Sequence, residues 1–270
     1  MSESRIGVVQ RNVKIAAGLF WADYGYLADT VGELEEGGAD WIHMEMRDGA
    51  YMNFNVPRGG IDILYGIRPY TNLEIEVQLQ TMRPTLDLLQ QLADAGADLI
   101  TLPIETTGET LIQNVSYVKE LGLKVGVWAW QGAPVLFFDQ YIPFVDIIEY
   151  ECRYPFWKPV TGAGSPHVMD DIVIESVEEL YRMLERRGRE REVDLMEDGG
   201  LNTSNLESFV KRGMSVGEFS SPLLKGPEGR YKPGAGDIAR ATRELKEFLR
   251  GLSETYRTDD GDLRQSIRPD

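Results

Sequence analysis

Short apolar runs alternate with longer amphipathic stretches along nearly the whole chain, and nothing else in the sequence restricts its fold so sharply. Strand-then-helix alternation is the pattern of βα units around a parallel sheet. Eight runs read as strands: Val13 to Ala17, Trp41 to Glu45, Leu73 to Leu79, Leu99 to Leu102, Lys124 to Trp128, Ile147 to Tyr150, Asp194 to Glu197 and Ser215 to Phe219. The stretches Tyr26 to Glu36, Pro84 to Ala95, Glu109 to Leu121, Val177 to Arg187 and Asn205 to Arg212 place apolar residues at helical spacing. Eight strands suggest a closed barrel, and a length of 270 residues suits one. A faint echo supports the repeat: Gly38-Ala39-Asp40-Trp41-Ile42 and Gly96-Ala97-Asp98-Leu99-Ile100 each close a helix and enter a strand. The open doubly wound sheet is the alternative, but no glycine fingerprint for a dinucleotide follows the first strand. The expected architecture is a (β/α)8 TIM barrel over residues 1–252, with the polar segment 253–270 as a disordered tail.

Charge narrows the function. The formal net charge is −16, from 44 acidic against 28 basic residues, which opposes nucleic acid and anionic lipid over most of the surface. Helix acids such as Glu33, Glu35 and Glu36 read as solubilising charge. An anionic substrate would need its own cluster of backbone N–H groups or a cation. No segment has the apolar length of a membrane span, and the start lacks the apolar stretch of a signal peptide, so a cytoplasmic protein is expected. The single cysteine, Cys152, excludes a disulfide framework and a cysteine-clustered zinc site, and reads as a small apolar residue.

In a barrel of this kind, residues at the C-terminal ends of the strands converge whatever their separation in sequence. The second strand ends His43-Met44-Glu45, the third passes through Glu76-Val77-Gln78, the sixth ends Glu149-Tyr150-Glu151, and the seventh ends Glu197-Asp198-Gly199-Gly200. Alternation puts His43 with Glu45, Glu76 with Gln78, and Glu149 with Glu151, and it sends Glu197 and Asp198 to opposite sides. An imidazole among carboxylates can bind a divalent ion, and two carboxylates flanking a sugar can exchange a proton. The same acids could instead be rim partners of Lys or Arg, and His43 a satisfied core residue.

The segment from Gly38 to Gly49, GADWIHMEMRDG, resembles the ribulose-phosphate 3-epimerase family, where the pattern is GADWIHxDxMDG. Lys14-Ile15-Ala16-Ala17 with Ala22-Asp23-Tyr24, and Asp198-Gly199-Gly200-Leu201-Asn202, resemble further family motifs in the same order, over about Lys14 to Leu224. The resemblance implies epimerisation of a ketose phosphate through an enediolate, with a divalent metal held by two His and two Asp, the two Asp acting as acid and base. Carried over by position, the ligands are His43, Glu45 in place of the first aspartate, Gln78 in place of the second histidine, and Asp198, with Glu45 and Asp198 as the acid/base pair. A glutamine oxygen favours Mg²⁺ or Mn²⁺ over Zn²⁺. Glu151 stands at an apolar family position and is either a substitute ligand or a partner for Arg47 or Arg153.

Gly199, Gly200 and Ser221 match phosphate-site positions, and Lys158, in the long Arg153 to Asp171 loop, is a candidate cation. Arg47 and Gln80 replace family methionines, and Gly18 and Trp21 replace serines, so the substrate contacts are altered. Trp130 and Trp157 offer faces for a sugar ring. The implied partner is a small sugar phosphate, with a homo-oligomer as a further expectation through Tyr51 and Phe54. A lyase or decarboxylase working through an enolate, and a sugar-binding barrel without catalysis, are the competing readings.

Overall fold

The Gly-Ala-Asp echo marks how one βα unit is joined to the next. In the computed structural model, which describes residues 12–51, 60–152, 171–226 and 228–255, Gly38 and Gly96 adopt φ of 90° and 99°. Those values are left-handed, open to glycine without a Cβ clash. The aspartate that follows caps the strand before it: Asp40 Oδ2 accepts from the Ile15 amide at 2.7 Å and Asp98 Oδ2 from the Ile75 amide at 2.8 Å. Asp146 does the same for Val125 at 2.9 Å without the glycine signature.

Eight barrel strands result: β1 (Lys14–Gly18), β2 (Trp41–Arg47), β3 (Glu74–Gln80), β4 (Leu99–Pro103), β5 (Lys124–Trp130), β6 (Ile147–Glu151), β7 (Asp194–Asp198) and β8 (Val216–Phe219). All pair in parallel, in chain order, and β8 closes on β1 through registers such as Ala16 opposite Glu218. The helices are α1 (Leu27–Gly37), α2 (Ile61–Ile67), α3 (Leu86–Asp94), α4 (Ile104–Thr107), α5 (Leu111–Glu120), α6 (Asp171–Arg186), α7 (Leu206–Val210), α8 (Ser221–Leu224) and α9 (Asp237–Thr255). Between β5 and β6 a 3-10 turn, Val135–Phe138, stands where an α-helix would complete the pattern. No helix among the described residues is long and apolar enough to cross a membrane.

Strand alternation divides the core in two. Residues such as Ile15, Ile42, Ile75, Val125, Ile148 and Leu195 face outward into one apolar shell beneath the helices. Inside, Ala16, Trp41, Leu99, Ile147, Met196 and Val216 form a separate apolar plug toward the N-terminal ends of the strands. Above the plug the lumen is polar and closed to solvent, holding His43, Glu76, Gln78, Thr101, Glu149, Glu151 and Asp198.

Two expectations change. Glu33 and Glu35 are not free solubilising charges. Glu33 is buried and accepts from the amides of Gly234, Ile238 and Ala239 at the start of α9, while Glu35 accepts from Thr71 and Asn72. Those bonds from Thr71 and Asn72 hold the Glu35 carboxyl below its usual range. The last helix also continues to Thr255, past the boundary at 252, because buried Ser253 accepts the Val13 amide at 3.2 Å and ties the helix to the first strand. Residues 153–170, with Lys158 and Trp157, lie outside the described residues, as do Phe54 and positions 256–270 of the expected tail.

Candidate active site

His43 is buried on β2, and its Nδ1 lies 3.0 Å from Glu76 Oε2 on β3. Glu76 is itself fixed, accepting from Trp41 Nε1 at 3.0 Å and Thr101 Oγ1 at 2.6 Å. A carboxylate can only accept, so Nδ1 carries a proton toward Glu76 and Nε2 is the ring nitrogen left for another partner. Nε2 is buried and has no hydrogen-bond partner among the described residues. One ligand atom each from His43, Glu45 and Asp198 lies within 4.8 Å of the others. An orphaned imidazole nitrogen beside two carboxylates is the donor chemistry a divalent cation takes, so these residues fit one. With no cation bound, burial alone would lower the His43 pKa, but Glu76, Asp198 and Glu45 together outweigh it and raise the group to about 9, so a cation that takes Nε2 has to displace a proton from it.

Gln78 sits opposite Glu45 in the β2–β3 register, inside the lumen. Its Oε1, the atom expected to ligate, accepts from Gln80 Nε2 at 2.5 Å, and its Nε2 donates to Glu149 Oε1 at 2.5 Å. Gln80 Oε1 accepts from Arg47 Nε at 2.6 Å, and Arg47 also forms an ion pair with Glu45 and lies over the Phe20 ring at 4.9 Å. Arg47 therefore joins β2 to β3 at the mouth and orients Glu45. Glu151 is buried beside Asp198 in the β6–β7 register. Glu197 points to the other side, as alternation requires, and accepts from Cys152 Sγ at 2.9 Å. Burial raises both groups, and the Glu197 carboxylate beside it pushes the thiol further up. Cys152 is thus a buried donor as well as a small apolar side chain.

At the mouth, Gly200 and Ser221 line one cavity of about 260 Å³ together with Glu45, Trp21, Glu218 and Lys225. Gly199 and Gly200 have φ of 108° and 82°, so the turn after β7 uses a backbone that glycine alone adopts readily. Lys225 Nζ lies 3.1 Å from the Trp21 ring centre. This lysine was not legible in sequence, because its place beside Trp21 comes only from closure of the barrel. Glu218 was missed for the same reason. A Cβ on Gly18 would fall 1.7 Å from Glu218 Oε1, so the glycine is what admits that carboxylate.

Trp128 is fully buried, donating to the Leu79 carbonyl at 3.0 Å, and packs edge-on against Trp130 with centroids 5.4 Å apart. Tyr51 packs against Trp128 with the rings tilted by 58°, and donates to Glu105, whose other oxygen accepts the Trp130 amide at 2.9 Å. Glu105, just after β4, has no sequence signal beyond that position. Burial raises its carboxyl above the usual range despite these bonds.

A family model described as the ribulose-phosphate 3 epimerase family matches residues 14–218. The ribulose-phosphate 3-epimerase of Synechocystis sp. is 26% identical over 220 residues, covering 81% of this chain and 90% of that protein. The ribulose-phosphate 3-epimerase of Treponema pallidum is 27% identical over 221 residues, covering 81% of this chain and 94% of that protein. Among solved structures, 3-keto-L-gulonate-6-phosphate decarboxylase from Vibrio cholerae superposes with a TM-score of 0.61 at 13% identity, covering 91% of this chain and 99% of that one, and shows the shared barrel alone. With a match running from the first strand into the eighth, this chain belongs to the ribulose-phosphate 3-epimerase family, a family of carbohydrate epimerases.

Proposed function

We propose that this chain epimerises or isomerises a ketose phosphate or related sugar acid by moving a proton on a carbon beside the carbonyl, with Glu45 and Asp198 as the acid/base pair. The observation that carries this reading is the meeting of Glu45 from β2 and Asp198 from β7 around His43, beside the cavity that Gly200 and Ser221 line. One carboxylate removes the proton as a base, the electrons of the C–H bond pass toward the carbonyl oxygen, and the other carboxylic acid returns a proton to the enediolate. A divalent cation bound by His43, Glu45 and Asp198 would supply Lewis-acid polarisation of that oxygen. Each carboxylate has two oxygens, so one can ligate while the other meets the substrate.

The phosphate is assigned to the turn at Gly199 and Gly200, to Ser221 and to Lys225, whose charge offsets the acidic field of the chain at this wall. Arg47 and Gln80, bonded to each other beside Glu45, are polar side chains, which suits a hydroxyl- or carboxylate-bearing sugar better than an apolar contact. The oxygen-rich donor set favours Mg²⁺ or Mn²⁺ over Zn²⁺.

The test is solvent-deuterium incorporation into a panel of ketose phosphates, followed by NMR. Asp198→Asn and Glu45→Gln should each slow exchange by about 10²- to 10⁴-fold, the usual contribution of a general acid or base. Full-rate deuterium incorporation by Asp198→Asn would overturn the assignment.

A further inference from the structure

The mouth cavity contains a carboxylate that the chemistry above does not use. Glu218 stands on β8, is buried, and lines that cavity together with Glu45, Gly200, Ser221 and Lys225. Gly18 makes its place across the β1–β8 seam, since a Cβ at that position would fall onto Glu218 Oε1. Register locates the carboxylate further. Glu218 pairs with Ala16, and Gly18, on the same side of β1 as Ala16, pairs with His43 on β2. The carboxylate therefore fills the inward space at the end of β1, beside the strand that carries His43 and Glu45. Further along the chain from Glu218, Ser221 lines the same cavity.

Taking a carboxylate out of water is costly, and here it shares a wall with the residues assigned to phosphate, where a second anion is repelled. Binding of phosphate alone gains nothing from it. An apolar residue at position 218 would fill the space without that repulsion. What a carboxylate adds is a strong acceptor for a neutral donor, and the donor a sugar presents is the hydroxyl. The cavity is lined both by Glu45, which is assigned to proton transfer, and by Gly200, Ser221 and Lys225. A sugar phosphate lying along it brings the carbon between its two ends past Glu218.

We propose that Glu218 is a specificity-determining residue, accepting a hydrogen bond from a substrate hydroxyl on the carbon between the reacting carbon and the phosphorylated one, and turning away substrates with an anionic group there. The substrate class is a ketose monophosphate with that hydroxyl free. This rests on the reading that the cavity takes a sugar phosphate. A site built to bond a hydroxyl discriminates strongly against the analogue that lacks it, because the buried acceptor is left unpaired.

The experiment is calorimetric titration of the full chain with ribitol 5-phosphate, which has no carbonyl and cannot turn over, and with its 4-deoxy analogue. Wild type should prefer the hydroxyl-bearing ligand by about 10- to 100-fold, the usual worth of a hydrogen bond to a charged group. Glu218→Ala should lose that preference, and Glu218→Gln, which keeps an acceptor oxygen but not the charge, should retain part of it. Sulfate, an anion with no proton to donate, should bind more tightly to Glu218→Gln than to wild type. A merely structural role would move both kinds of ligand in the same direction.

Equal affinity for the two ligands in wild type, or a preference that survives in Glu218→Ala, would overturn the role of Glu218 and leave the sugar-phosphate reading standing. Failure of wild type to bind either ligand would overturn both. If neither variant folds, the wild-type preference decides alone, and its absence contradicts the proposal.

Discussion

His43 and Asp48 stand five residues apart, and partners elsewhere in the chain set the role of each. His43 was legible as a candidate ligand because alternation placed Glu45 on its side of β2, but the Glu76 bond that orients its ring crosses to the next strand. Asp48 carried no such signal. Its Oδ1 accepts from the amides of Ala50 and Tyr51 at 2.8 and 3.0 Å, and its Oδ2 from Met82 at 2.6 Å, so it clamps the β2 loop to the end of β3. Partial burial pushes its carboxyl up, but the three backbone donors outweigh that and hold it below its ordinary 3.8. A depressed carboxyl stabilises the fold fully above its unfolded pKa and loses that contribution as pH falls through the lower folded value. Asp48→Asn should therefore lower the thermal midpoint at pH 7, and the gap to wild type should close as pH falls below about 3.8. Melting curves across pH check this, and a gap that stays constant would contradict it. Gly18 makes a sharper packing prediction. Gly18→Ala should destabilise by about 1–3 kcal/mol through collision with Glu218. Glu218→Ala in the same chain should relieve most of that cost, a coupling that urea unfolding of the double-mutant cycle measures.

At the scale of elements, the eight barrel strands were legible, because each is an apolar run or, as in β3, a strict alternation of apolar and polar residues. The helices were less so. The β5–β6 connection holds only a 3-10 turn, and Pro134 just before Val135 marks where helical continuity is interrupted. α6 begins at Asp171, six residues ahead of the expected Val177, since Ile172-Val173-Ile174 is an unbroken β-branched run that masks the helical spacing. The contact between α1 and α9 was invisible, because it joins chain segments about 200 residues apart: Glu33 bonds the Gly234, Ile238 and Ala239 amides, and a Cβ on Gly37 would fall 2.4 Å from Thr242 Cβ. Removing the Glu33 carboxylate leaves buried amides without acceptors. Glu33→Ala should lower unfolding free energy by about 1–3 kcal/mol in urea titration, with Glu33→Gln intermediate. A change near zero would show that water replaces the cap.

Across the whole molecule, the closed barrel gathers the strand ends, so residues as far apart in sequence as Glu45 and Lys225 line one cavity. That convergence follows from the fold class, and it made the meeting of Glu45 with Asp198, and of Gly200 with Ser221, readable in advance. The network through Arg47, Gln80, Gln78 and Glu149 was not readable, since it depends on which amide atom faces which neighbour. Its acids also make the lumen a strong attractor for cations, in line with a chain of net charge −16. The measurement that bears most directly on the account is proton exchange with and without metal: the chain is stripped of ions, incubated with ketose phosphates in D₂O, and then reloaded with Mn²⁺ or Mg²⁺. Deuterium should enter one substrate at the carbon beside the carbonyl, cease in the stripped protein and return on reloading. Carbon–carbon cleavage or loss of CO₂ in place of exchange, or no exchange with any substrate in the metal-loaded protein, would contradict it.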